Sequence, residues 1–139
     1  MPGVYSAQAF AALDANTDQL LIEVTAPSNV GIKIRKIRIM HADGTETVTA
    51  DYHKKVKLVR ESVAGTGGSS YTPIKLDANS AAAGSTVKTD LSAVGTISDT
   101  IDVFSIHSVT DFYWQAYDDD DKISVEPSGI FGVVVNPAG

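Results

Sequence analysis

The chain has 139 residues, with 11 Lys+Arg against 17 Asp+Glu, 43% hydrophobic residues and no cysteine. That length suits one domain with one real core, and the lack of cysteine excludes a disulfide staple, a thiolate nucleophile and Cys-ligated zinc. No apolar run approaches the roughly 20 residues of a membrane-spanning helix; Met1 to Tyr5 offer neither the basic region nor the apolar core of a secretory signal; and a formal net charge of −6 disfavours a general nucleic-acid binder.

In chain order, Val4 to Phe10 reads as a first strand, with residues 1–13 forming an N-terminal arm. Gln19 to Ala26 is a clearer strand, with Leu20, Ile22 and Val24 on one face and Pro27-Ser28-Asn29 ending it. From Ile32 to Ile39 apolar and basic residues alternate, but the isoleucines change parity, from Ile32 and Ile34 to Ile37 and Ile39. One extra residue near Arg35-Lys36 keeps both pairs facing a core, which predicts a β-bulge. Asp43-Gly44 signals a tight turn. Tyr52 to Val63 is a strand with Val56 and Leu58 inward. Gly65 to Ser70 follows as a flexible hairpin connection, then the short piece Pro73 to Asp77.

Ala81-Ala82-Ala83 is cut off by Gly84 before a stable helix can form. Later strands are expected at Thr86–Leu91, Thr100–Ser108, Phe112–Tyr117, Lys122–Glu126 and Ile130–Val135. Eight to ten short strands without a long helix predict an all-β fold. The expectation is a single antiparallel β-sandwich or jelly-roll domain over residues 1–139, with no linker and no internal repeat.

Motifs for chemistry are sparse. His41, His53 and His107 have no second histidine at ligand spacing. Ser105 and His107 share a strand face, but such spacing ordinarily marks an outward polar row; an enzyme would need His107 gathered with Asp102 or Asp111 in a cleft. Ala64-Gly65-Thr66-Gly67-Gly68 lacks the following helix that a phosphate cradle requires. Asp118-Asp119-Asp120-Asp121 lacks the spacing of a Ca²⁺ loop and reads as a solvated loop between strands. No catalytic residue, cofactor or metal is expected.

Charge is distributed unevenly. Eight of the eleven basic residues lie between Lys33 and Arg60. With the isoleucines inward, Lys33, Arg35, Lys36 and Arg38 point outward; with Val56 and Leu58 inward, so do His53, Lys55 and Lys57. Were these strands neighbours, they would form one basic face on an acidic protein, suited to an acidic protein surface or simply solvated. In Phe112 to Tyr117, alternation assigns Phe112, Trp114 and Ala116 to the core, and Tyr113, Gln115 and Tyr117 to an amphipathic row.

From Lys36-Ile37-Arg38-Ile39-Met40-His41 the chain passes through a turn to Lys57-Leu58-Val59-Arg60-Glu61-Ser62 and Gly65-Thr66-Gly67-Gly68. Pro73-Ile74-Lys75-Leu76-Asp77, an Ala/Ser/Thr-rich stretch, Tyr113-Trp114, Glu126-Pro127-Ser128-Gly129 and a Val-rich last strand complete the pattern. Over residues 32–136 this succession resembles the head decoration (cement) proteins of tailed bacteriophages. The resemblance rests on strand-and-turn patterns, and the four-aspartate run stands outside it.

It implies a jelly-roll-like sandwich without catalytic residues, self-association as a homotrimer, and attachment to the major capsid protein on the outer capsid after assembly in the host cytoplasm. No nucleic-acid or membrane partner is expected. Lys33, Arg35, Lys36, Arg38, Lys55, Lys57, Tyr113 and Tyr117 are the candidate partner-binding residues. The alternative is a carbohydrate- or receptor-binding β-sandwich of a phage tail or surface protein, with Tyr113, Trp114 and Tyr117 as its platform.

Overall fold

Alternation of apolar and polar residues, punctuated by Gly, Pro, Asn and Asp, builds strands along the whole computed structural model, which describes residues 3–9, 17–40, 53–107 and 111–137. The strands are β1 (Tyr5–Ser6), β2 (Gln19–Thr25), β3 (Ile32–Ile34), β4 (Lys36–Ile39), β5 (His53–Val63) and β6 (Ser69–Tyr71). They continue with β7 (Ile74–Lys75), β8 (Thr86–Thr89), β9 (Thr96–His107), β10 (Phe112–Gln115), β11 (Ile123–Val125) and β12 (Ile130–Pro137). Asp119–Asp121 form a single 3₁₀ turn. No helix among the described residues is long and apolar enough to cross a membrane.

Every strand pairing among the described residues is antiparallel. Six strands make one sheet in the order β6-β8-β2-β12-β5-β9. A second, smaller layer is formed by β3 with β11 and β4 with β10. Between the layers lies the main core. Val56, Leu58, Phe131, Val133 and Val135 from the large sheet meet Phe112, Ile123 and Val125, with Ile32, Ile34, Ile37, Ile39 and Trp114 packed against them. Phe104 and Phe112 bridge the layers with ring centroids 4.8 Å apart. Each such side chain stabilises the fold by about 1.5–3 kcal/mol through burial.

The all-β, antiparallel expectation holds. The strand order gives one wide sheet and one narrow layer, a sandwich-like arrangement that does not by itself establish a jelly roll.

The parity change in the isoleucine run falls at Arg35, where the expected bulge is replaced by a strand break and the pairing passes from β11 to β10. β3 ends at Ile34 and β4 begins at Lys36. All four isoleucines stay on the core side, and Lys33, Arg35, Lys36 and Arg38 are exposed.

In β2 the expected single face is broken. The pairing with β12 shifts register between Val133 and Val134, which oppose Ile22 and Leu20. Ile22 therefore packs toward the main core, whereas Leu20 joins Val59, Leu91 and Val134 in a second cluster on the opposite face of the sheet.

The glycine segment is not a hairpin connection. β5 and β6 lie four strands apart in the sheet, so the residues between them must cross its face. The β8–β9 connection crosses the same face in return. The two crossovers run antiparallel and bridge at Thr66 and Ala93, where the Thr66 amide donates to the Ala93 carbonyl at 3.1 Å. Together they cover the second cluster. Gly65 is needed there: a Cβ would lie 2.6 Å from the Ala93 carbonyl oxygen and 2.8 Å from Leu20 Cδ2.

β6 was not expected, and β9 starts four residues before the anticipated Thr100. The N-terminal segment pairs with β7 of its own chain, Tyr5 opposite Lys75, and the Tyr5 hydroxyl donates to the Ala81 carbonyl at 2.8 Å. Phe10 to Leu13, His41 and the Asp43-Gly44 turn lie outside the described residues.

Candidate docking face

The outer surface of the small layer is built by alternation. With Ile32, Ile34, Ile37 and Ile39 directed at the core, Lys33, Arg35, Lys36 and Arg38 stand on the other side, all exposed. Strand pairing adds neighbours to this row. Tyr113 lies opposite Arg38 and Gln115 opposite Lys36, while Ser124 lies opposite Lys33. Phe112 is buried and Trp114 half-buried, so Tyr113 and Gln115 face outward, as the alternation required.

Lys36 Nζ lies 5.4 Å from the centroid of the Tyr113 ring, a cation–π contact of the exposed kind. The Tyr113 hydroxyl donates to Gln115 Oε1 at 2.5 Å, which links the two outward side chains of β10. Tyr113 is 52% exposed and Tyr117, just beyond the strand, 96%.

The two groups of basic residues do not share a face. β5 belongs to the large sheet, and its Val56 and Leu58 point at the layer that carries the Lys33–Arg38 row. Lys55 and Lys57 therefore project from the far side. Lys57 Nζ approaches Asp18 Oδ2 at 3.5 Å, and Asn136 Nδ2 donates to the other Asp18 oxygen at 2.9 Å. The expected single basic face is two patches back to back, because the isoleucine strand and β5 sit in different layers and never pair.

Two further basic residues do structural work that the pattern did not reveal. Arg60 Nε and Nη2 donate to the Ser124 carbonyl at 3.3 and 3.0 Å, clipping the large sheet to β11. Lys54 is only 5% exposed. Burial pushes its pKa below the ordinary lysine value, and the nearby Asp111 carboxylate opposes the shift. The signal for both was their parity with Val56 and Leu58, which turns them toward the opposing layer.

The remaining candidates resolve simply. His53 and His107 are register partners at the end of the β5–β9 ladder. Ser105 lies opposite Lys55 on the far face. Asp102 Oδ1 accepts from the adjacent Val103 amide, and Asp111 lies beside Lys54. Asp118 Oδ1 accepts from the amides of Asp120 at 2.9 Å and Asp121 at 3.2 Å, so the four-aspartate run is a locally capped turn joining β10 to β11. Among the described residues no three His, Asp or Glu side chains converge as metal ligands would.

Comparison with protein families, curated proteins and solved structures finds no match to this chain.

Proposed function

We propose that this chain is a non-enzymatic virion structural protein. It binds the outer surface of a phage capsid, acts on the major capsid protein and works as a homotrimer. The observation that carries the docking part of this reading is the row Lys33, Arg35, Lys36 and Arg38 with Tyr113 beside it, displayed by a two-layer scaffold on a molecule of net charge −6. A basic strip on an acidic protein orients it toward an acidic surface and repels other copies from approaching at random. Tyrosine adds amphipathic contact area at small entropic cost. The capsid as partner, and the trimer, rest on the family resemblance over residues 32–136. A trimer contacting several capsomers needs only weak contacts, since linked binding raises avidity by roughly 10²–10⁴.

The test is co-sedimentation of the purified protein with expanded phage heads stripped of accessory proteins, alongside native mass measurement. Saturable binding by a trimer supports the proposal; a monomer with no affinity for any head overturns it.

A second reading, carbohydrate or receptor binding, draws on the exposed pair Tyr113 and Tyr117. Its platform loses Trp114, which packs against the core. Glycan titration followed by tyrosine fluorescence separates the two readings.

A further inference from the structure

Beneath the two crossovers lies a feature that the docking face does not use. Glu23 of β2 is 3% exposed and Glu61 of β5 5%. Between their strands runs β12, and at the place where a side chain would separate them stands Gly132, the register partner of Glu23. A Cβ on Gly132 would lie 2.7 Å from Glu61 Oε1. The glycine thus opens the space in which the two carboxyl groups meet.

Each carboxyl holds one crossover. The Gly65 amide donates to Glu23 Oε2 at 2.7 Å, and the Gly95 amide donates to Glu61 Oε2 at 3.0 Å. Glu61 Oε1 is fully buried without a hydrogen-bond partner. A buried carboxylate oxygen in that position is costly; a proton on it, directed at Glu23, turns two repelling acids into a hydrogen-bonded pair.

Among the described residues no ion pair compensates the two carboxyl groups. Lys88 of β8 is the register partner of Glu23 and half-buried, yet no ion pair joins them among the described residues. Asp90, at the start of the second crossover, is exposed and adds negative charge. Lys57, farther along the same face of β5, is engaged with Asp18. β12 offers Gly132 and Val134, β9 places Ile97 opposite Glu61, and the 64–68 crossover has no titratable side chain. Asp99 of β9 lies opposite Arg60, whose guanidinium is turned to Ser124.

We propose that Glu23 and Glu61 form a proton-dependent clasp that binds both crossovers to the sheet, closed while the pair shares one proton and loosened when both groups ionise. Desolvation and the neighbouring Glu23 push the Glu61 pKa up to about 7, against the partial relief given by the Gly95 amide, so the change falls near neutrality. Two like charges in one buried site behave in this way generally. The loosening is confined to residues 64–68 and 90–95, the segments anchored to the carboxyl groups through the Gly65 and Gly95 amides.

The decisive measurement is a carboxyl-carbon NMR titration of the intact protein. One side-chain carboxyl titrating near pH 7 supports the clasp; all glutamate carboxyls titrating below about pH 5 overturn it. Amide hydrogen exchange, corrected for intrinsic rates, supplies the structural arm. Between about pH 5.5 and 8.5 the wild type is expected to lose about tenfold protection in the two crossovers, with β5 and β12 unchanged. Glu61→Gln keeps an acceptor for Gly95 and supplies an amide donor toward Glu23, so its crossovers are expected to show no such loss. Flat protection in the wild type, or an unchanged loss in Glu61→Gln, overturns the proposal. The wild-type titration decides alone if the variant fails to fold.

Discussion

Ala116 donates its backbone amide to the Arg35 carbonyl at 2.9 Å, at the residue where β3 gives way to β4. β10 pairs with the chain after that point and β11 with the chain before it. The break at Arg35 is thereby held from both sides, and the four-aspartate turn leaves the layer beside it. Because Arg35 takes up the extra residue, the isoleucines on either side reach one core while four basic side chains reach one surface.

Deleting Arg35 removes the extra residue and turns either Ile32 and Ile34 or Ile37 and Ile39 toward solvent. Exposing two isoleucines costs about 3–6 kcal/mol. Urea unfolding of the deletion variant is expected to show a loss of this order, whereas Arg35→Ala, which keeps the backbone, is expected to unfold within about 0.5 kcal/mol of the wild type.

The two basic patches separate experimentally. Lys36→Glu with Arg38→Glu reverses charge on the docking face and is expected to weaken head binding about tenfold or more at low salt. The pair Lys55→Glu and Lys57→Glu alters the far side of the large sheet and is expected to leave head binding near the wild-type level. Binding by wild type is also expected to fall as salt rises, since exposed charges are screened beyond about 8 Å at physiological ionic strength. Co-sedimentation across a salt series reads all three.

Global stability carries a pH signature of the buried acids. Glu61 is raised from 4.5 to about 7, so between those values the folded state binds more protons than the unfolded one. Its contribution is complete below about pH 4.5, declines as pH rises through 7 and is constant thereafter. The urea midpoint is expected to be higher at pH 5.5 than at pH 8.5. The quantity to compare is the difference between wild type and Glu61→Gln, which vanishes if Glu61 is not responsible.

Lys54 sits in the interlayer region with its charge desolvated, and Asp111, its nearby carboxylate, is exposed. Lys54→Met keeps the length of the side chain and removes the buried charge, while Asp111 stays solvated. Such replacements are often neutral or stabilising, and a gain of about 1 kcal/mol is expected by urea unfolding at pH 7. Lys54→Ala, which leaves a cavity, is expected to lose stability.

What the sequence disclosed follows from where a signal exists. The irregularity at Arg35 was legible because basic residues separate the isoleucines and expose the change of parity, but its form, a change of partner strand rather than a bulge, was not. The bulge in β2 was not: Leu20-Leu21-Ile22 is an unbroken apolar run, and a slip within it leaves no mark. Tyr113 and Phe112 sorted correctly by alternation alone. The basic face was misjudged because alternation tells which side of its own strand a residue occupies and nothing about which strands become neighbours. The carboxyl pair had a faint trace, a glutamate inside Leu-Leu-Ile-Glu-Val and a glycine inside Phe-Gly-Val-Val-Val, but nothing local links residue 23 to residue 61. Their meeting is a product of β12, which brings β2 and β5 to either side of Gly132.

The place of β12 bears on how the chain is made. It is the last described strand, yet it lies between β2 and β5 in the middle of the sheet and supplies Phe131, Val133 and Val135 to the main core and Val134 to the second. Until residues 130–137 leave the ribosome, β2 and β5 have no common neighbour and neither core can close. Folding must therefore wait until residues 130–137 have been made, and its long-range pairings make it slow relative to a helical domain of this size. A ribosome stalled before residue 130 would hold a chain with open strand edges, the state in which such sequences aggregate.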